Sequence, residues 1–314
     1  MDNVTHTLTG LVARDIAPKR LFENRHFLWM SLLAANAPDI DIALMPFGLE
    51  LYLKYHRGIT HSLFLVPIWG LIAAILVYYI SKKRVPFLDS WLWLSIMVSI
   101  HDGVDWITSY GTGLLTPFSQ KAYSANLFPI FDPWFFLLLT TVCLIVKYRP
   151  KRRKAIVFIG IAIFLLYGGL RAYCKFHSER LVEERFGPMA QIYSFADIEN
   201  VGAWINPTMY RVVAVRGGMA SSYEVSPLEG RTDFQRAFDL FDSGDEYWEK
   251  VDSYGAARAF IERSNLPVVE VQDGVLVLSD LRYSAGIGQT GGLALYFEME
   301  NGEIMGKPSI ERPR

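Results

Sequence analysis

The chain of 314 residues is 51% hydrophobic and 14% aromatic, too apolar for an average soluble protein and, at 20% charged, too polar to be membrane throughout. Its 31 Lys plus Arg balance 32 Asp plus Glu, which excludes broad electrostatic capture of nucleic acid. Cys143 and Cys174 lie in separate apolar runs and predict packing side chains rather than a disulfide.

The opening, Met1 to His6, lacks the basic start, apolar stretch and small-residue cleavage site of a secretory signal, so the first residues are expected to stay and internal spans to direct insertion. Thr5 to Ile16 and Phe27 to Ala37 read as two helical segments joined by a basic stretch with Lys19, Arg20 and Arg25. Arg14 and Asp15 weigh against a full crossing by the first, and about 12 residues is short for the second. A hairpin packed against the bundle, re-entrant in form, would return His6 and Asp39 to one face. Ser62 to Ile80 is an uncharged apolar run of 19 residues, about the hydrocarbon thickness at 1.5 Å per residue. A second span from near Val85 runs through Ile100 into His101, and Pro133 to Val146 and Ala155 to Leu170 complete a count of four.

Lys82-Lys83-Arg84 and the six basic residues of Lys147 to Lys154 fall after the first and third spans, whereas residues 107 to 130 carry only Lys121. The positive-inside rule then puts both clusters in the cytoplasm and every polar word at the span ends on the outer face. From Cys174 the chain turns charged, Gly-rich and alternating. Met209 to Val215, Pro267 to Leu278 and Leu293 to Met299 read as strands, with a further strand after the turn Asn301-Gly302. Phe234 to Phe241 and Glu246 to Glu262 carry helical spacing. The expected fold is an α-helical integral membrane bundle of about four spans plus an N-terminal helical hairpin (1–173), followed by a soluble, extracytoplasmic α+β domain (174–314).

Four of the six histidines lie in short polar words beside apolar segments, where metal-type ligands are costly to keep without a use. His101 and Asp105, four apart, share a helix face, and Asp102 borders it after a turn of about 100°. Such a His and carboxylate pair commonly holds a transition metal; the plainer reading is a hydrogen-bonded pair closing the helix, with Gly103 easing packing. His56 and His61 would diverge on a continuous helix. Gly58 is expected to relieve this by leaving His56 in a loop, Thr60 as a cap and His61 at the helix start; the plainer reading is one interfacial histidine, with Arg57 only an anchor to headgroups. Pro38 ends a helix and leaves Asp39 and Asp41 in an irregular stretch where both reach an ion, the alternative being an ordinary Asp cap. His6, at a helix start, aims at the same face. Asp132-Pro133-Trp134 reads as cap, first-turn proline and interfacial tryptophan, and Thr112 to Ser119 as a bordering loop.

Taken in order, Asn3-Val4-Thr5-His6 with Gly10, Asn36-Ala37-Pro38-Asp39-Ile40-Asp41, His56-Arg57-Gly58-Ile59-Thr60-His61-Ser62 and His101-Asp102-Gly103-Val104-Asp105 resemble the motif series of the bacterial inner-membrane metal-dependent hydrolase family of YdjM and YbcI type, over roughly residues 1 to 135. That family is itself distantly similar to zinc-dependent phospholipase C and the P1-type nucleases, which hold a zinc cluster with His and Asp. The resemblance implies His6, Asp39, Asp41, His56, His61, His101 and Asp105 as metal ligands.

The expected function is a multi-pass enzyme of the bacterial cytoplasmic (inner) membrane. It would use one or two divalent ions, zinc or alternatively manganese, to cleave an ester or phosphoester bond of a lipid or lipid-linked substrate through an activated water, with Asp102 as general base. Partners are membrane lipids and no nucleic acid. The alternatives are a metal-ion or proton transporter, against which the ligands gather at one end of the spans, and a non-catalytic anchor for the C-terminal domain.

Overall fold

A computed structural model of the protein describes residues 1–189, 191–196, 206–282, 294–310 and 312. Among the described residues, helices α1 (Asn3–Ile16), α2 (Lys19–Phe22), α3 (Arg25–Ala34), α4 (Leu49–Tyr55), α5 (Val66–Ile80), α6 (Phe87–Trp106), α7 (Pro133–Tyr148) and α8 (Arg153–Phe186) precede eight strands and two short helices, α9 (Trp248–Asp252) and α10 (Gly255–Arg263). The chain divides into two compact units, Met1–Leu44 with Tyr55–Gly169 and Met45–Lys54 with Leu170–Arg314. The division falls inside α8, which continues unbroken through Cys174 to Phe186.

In the first unit, side-chain caps set the helix starts. Asp2 accepts from the backbone N–H groups of Val4 and Thr5 to begin α1, Asn24 accepts from His26 and Phe27 to begin α3, and Asp132 accepts from Phe135 to begin α7. Tyr167 donates to the other Asp132 oxygen at 2.9 Å, so Asp132 is a cap. Leu21, Phe27, Ala34, Ala74, Leu94 and Val98 are among the buried residues of a core shared by α1, α3, α5 and α6. Two glycines allow close helix contacts: a Cβ at Gly10 would lie 2.6 Å from Ala35 Cβ, and one at Gly70 would lie 2.8 Å from the Ser95 nitrogen. α3 stops at Ala34, and Pro38–Phe47 winds as 3-10 turns that bring Asp39 and Asp41 inward.

Among the described residues one helical stretch, Pro150–Phe186, is long and apolar enough to cross a membrane alone. The number rises to three if two bent pairs, Arg25–Ala34 with Pro38–Phe47 and Leu49–His61 with Val66–Ile80, each form one span. The expected count of four is therefore not reached by length and composition. The physical reasons are particular. The apolar run from Ser62 becomes α-helical only at Val66, and α6, though 20 residues long, carries Asp89, Asp102 and Asp105.

The second unit holds two four-stranded antiparallel meanders, β1 (Gln191–Phe195) to β4 and β5 to β8 (Glu303–Ser309). Three of the hairpins turn through two consecutive residues with positive φ, Gly217-Gly218, Asp273-Gly274 and Asn301-Gly302, the backbone that matches strand twist. Asp273-Gly274 splits the expected single strand over Pro267 to Leu278 into β5 (Pro267–Gln272) and β6 (Val275–Asp280). Phe234 to Phe241, expected as a helix, is instead largely the strand β4 (Arg231–Asp239). Phe234, Phe238 and Phe241 mimic a helical stripe, yet only Phe238 and Phe241 are buried, and β4 pairs with β3 (Met219–Ser226). The helical reading of Glu246 to Glu262 resolves into α9 and α10, separated at Ser253 and the extended Tyr254. Leu276, Leu278, Leu295 and Phe297 fill the core with Val251 and Phe260.

Candidate metal centre

Asp39, His61, His101 and Asp105 converge in the first unit, each offering one ligand atom within 4.8 Å of all the others. They come from separate places: Asp39 from the 3-10 turns after α3, His61 from the short 3-10 turn Ile59–His61 before α5, and His101 and Asp105 from one face of α6. His61 Nε2 lies 3.2 Å from His101 Nε2, 3.3 Å from Asp105 Oδ2 and 3.4 Å from Asp39 Oδ1. His101 Nε2 lies 3.4 Å from Asp105 Oδ2 and 3.7 Å from Asp39 Oδ1. Four ligands held tetrahedrally at zinc-type bond lengths stand roughly 3.3–3.6 Å apart, so these edges fit a common centre.

The hydrogen bonds behind the two rings decide what their inner atoms carry. His101 Nδ1 donates to the Ala35 carbonyl at 2.8 Å, and a carbonyl only accepts. Thr60 Oγ1 donates to Asp41 Oδ2 at 2.9 Å and accepts from His61 Nδ1 at 3.0 Å. In its neutral form each imidazole thus turns a bare Nε2 lone pair inward, towards another lone pair and two carboxylate oxygens. Asp39 Oδ2 and Asp105 Oδ2 are also buried without a hydrogen-bond partner among the described residues. Lone pairs so opposed repel unless a cation stands among them, and the donor set of two nitrogens and two oxygens suits a transition ion.

A second layer orients the first. Asp41 is buried behind His61, 3.5 Å from its Nδ1, and accepts from the Arg57 backbone N–H at 2.8 Å and from His56 Nδ1 at 3.0 Å. Asp41 and His56 therefore hold the His61 ring rather than join the four converging atoms, the support that metal-bound imidazoles usually have. His6 stacks on His101 with ring centroids 3.8 Å apart, and its Nε2 meets Asp105 Oδ1 at 3.2 Å. Asp105 is thus shared, Oδ2 facing the four-atom centre and Oδ1 facing His6, Arg57 and the Met1 ammonium. Asp102 is buried beside these groups, and neither of its oxygens has a hydrogen-bond partner among the described residues.

Arg57 is not the headgroup anchor of the plainer reading. Its side chain is buried, not anchored in headgroups, and its Nη2 lies 3.0 Å from Asp105 Oδ1 while the guanidinium covers the Tyr110 ring at 4.7 Å. The unusual backbone also sits at Arg57, with φ of 52°, whereas Gly58 is required for space: a Cβ there would lie 2.8 Å from the Tyr55 carbonyl oxygen. Thr60 does not cap a helix; it links His61 to Asp41. Gly103 eases no packing, since a Cβ there would meet nothing within 4 Å. The loop after α6 does border the site, through Gly113 N–H donating to the Arg57 carbonyl at 2.8 Å. The contacts made by Arg57, Thr60, Tyr110 and the Ala35 carbonyl are not legible in the sequence; a basic residue between two histidines is the available signal for the first.

No solved structure matches the chain. A protein of Bacillus subtilis (strain 168), the uncharacterized protein YfhP, is 31% identical over 172 residues, which is 53% of this chain and 52% of that relative. The chain thus matches about half the length of this curated relative. The family described as YdjM inner membrane protein matches residues 1–176, which contain every side chain of the centre. With more than half of its length matched and the polar words of that region folded into one buried cluster, the chain belongs to the YdjM inner membrane protein family.

Proposed function

We propose that the protein is a multi-pass, membrane-bound metal-dependent hydrolase that cleaves an ester or phosphoester bond of a lipid or lipid-linked substrate at the outer surface of a bacterial inner membrane, with the C-terminal unit outside. The observation that carries this reading is the inward set of four lone-pair atoms at Asp39, His61, His101 and Asp105. Zinc is the ion that the spacing and donor set favour. Bound there, it supplies Lewis acidity that lowers the pKa of water and polarises a phosphoryl or acyl oxygen.

The residues supply the rest. Thr60, whose hydroxyl proton is held by Asp41, and the Ala35 carbonyl keep both imidazoles in the tautomer that presents Nε2. Arg57 offsets part of the charge of Asp105, and its guanidinium suits a developing phosphoryl or carboxyl anion. Asp102 beside the centre, whose oxygens have no hydrogen-bond partner among the described residues, takes the proton of the attacking water as general base. The test is hydrolysis of a phosphodiester, bis(p-nitrophenyl) phosphate, and of a phosphatidylglycerol vesicle by the zinc-loaded protein. Asp102→Asn is expected to lower the rate by about 10²–10⁴-fold while keeping the metal. Metal-loaded protein that cleaves neither substrate, or an Asp102→Asn variant at full rate, would overturn the reading; ion flux in proteoliposomes would then favour a transporter.

A further inference from the structure

A cavity of about 250 Å³ lies among α1, α6, α7 and α8 of the first unit. Its wall includes Ile100, Val104, Leu139, Val142, Val157 and Ile161, and Thr9 is its polar lining residue. The Thr9 hydroxyl is already committed, donating to the His6 carbonyl at 2.8 Å. We propose that this cavity holds one acyl chain of a membrane lipid whose ester end is presented to the cluster of Asp39, His61, His101 and Asp105. The ester end rests on the hydrolase reading; occupation by the chain does not.

The cavity shares the helices α1 and α6 with the centre. Ile100 and Val104 each immediately precede a ligand on α6, His101 and Asp105, and Thr9 lies one turn beyond His6 on α1. Ile161 of the wall is 37% exposed, beside the exposed Phe158 and Leu165 of α8. That helix is the stretch long and apolar enough to cross a membrane alone, so its exposed apolar face meets lipid tails and the cavity opens towards them.

Chemistry selects the occupant. A wall that offers no free hydrogen-bonding group leaves every amide of an inserted peptide unsatisfied, at several kcal/mol for each. Water is likewise unsupported, because an apolar cavity of about 150 Å³ stays dry and takes up benzene. Scaled from that case, this cavity accommodates roughly ten carbon atoms, the inner part of one hydrocarbon chain. The remainder extends through the opening into the bilayer.

The experiment uses the full chain in vesicles of phosphatidylethanolamine and phosphatidylglycerol. One arm carries a diazirine in the acyl chain of phosphatidylglycerol and the other a diazirine-bearing free fatty acid, with the cross-linked residues mapped by mass spectrometry. The phospholipid arm is expected to label Leu139, Val142 and Val157. Leu139→Trp, which fills the cavity, is expected to cut that label about tenfold and leave bound metal unchanged. His101→Ala is expected to lose metal and keep the label, which separates failure of the metal reading from failure of the acyl site. Should Leu139→Trp not fold, unlabelled decanoate added to the unsubstituted protein is expected to displace the cavity label. Labels confined to exposed positions such as Phe158 and Leu165, label from the free acid alone, or no displacement by decanoate would overturn the proposal.

Discussion

Asp105 carries the heaviest electrostatic load of any side chain in the first unit. It is fully buried, faces His61 and His101 with one oxygen, and meets His6, Arg57 and the Met1 ammonium with the other. Removing Arg57 strips a buried carboxylate of its guanidinium, so Arg57→Met is expected to destabilise the protein by about 3–5 kcal/mol, read as earlier unfolding in a heat or denaturant series. An unchanged midpoint would mean that Asp105 does not depend on Arg57. The layer behind the ligands makes a second prediction. Asp41→Asn removes a charged acceptor behind the His61 ring without touching the four converging atoms, and it is expected to weaken metal affinity by about 10–100-fold in a chelator competition. His61→Ala removes a ligand outright and is expected to abolish tight binding. Equal losses in the two variants would place Asp41 among the ligands.

At the scale of elements, the centre exists because α1, α3 and α6 approach closely where their polar residues lie. Gly10 lets α1 pass against Ala35, whose carbonyl accepts from His101, so backbone contact and ligand orientation meet at one point. Gly10→Val is expected to cost about 1–3 kcal/mol through overpacking, whereas Gly103→Ala, on an open part of α6, is expected to gain about 0.5–1 kcal/mol from helix propensity. Parallel unfolding curves of the two variants check the contrast; the same sign for both would contradict the assigned contacts. The two glycines also mark what the sequence can and cannot tell. The polar words were legible because histidine and aspartate stand out beside apolar helices, and the turn at Asn301-Gly302 because few other pairs accept two positive φ values. Arg57, Thr60 and Ala35 were not, because their roles are contacts to Asp105, Asp41 and His101 made by tertiary packing, which no local periodicity encodes. Phe234 misled for a related reason: in β4 it is exposed while Phe238 is buried, and only pairing with β3 decides between strand and helix.

Across the whole molecule, a membrane-protein half and an α+β half share one chain, and the buried centre belongs to the first. A cation bound only by the folded state adds stability by mass action, about 2.7 kcal/mol at a free concentration one hundred times its dissociation constant. Chelation is therefore expected to lower the unfolding temperature of the membrane unit, and readdition of zinc to restore it. For the proposed topology, single cysteines placed in Lys82-Lys83-Arg84 and in Lys147 to Lys154 are expected to be blocked by impermeant reagent only from the cytoplasmic side. Labelling of the two clusters from opposite sides would remove an even number of crossings between them. Whether Asp39, His61, His101 and Asp105 together hold one ion is read by elemental analysis of the purified protein combined with X-ray absorption of the bound metal. At least one tightly held divalent ion is expected, with two nitrogen and two oxygen neighbours at about 2.0–2.2 Å, lost in His61→Ala and in His101→Ala. Protein that binds no ion after incubation with zinc, or that keeps the same metal environment in both variants, would contradict that expectation.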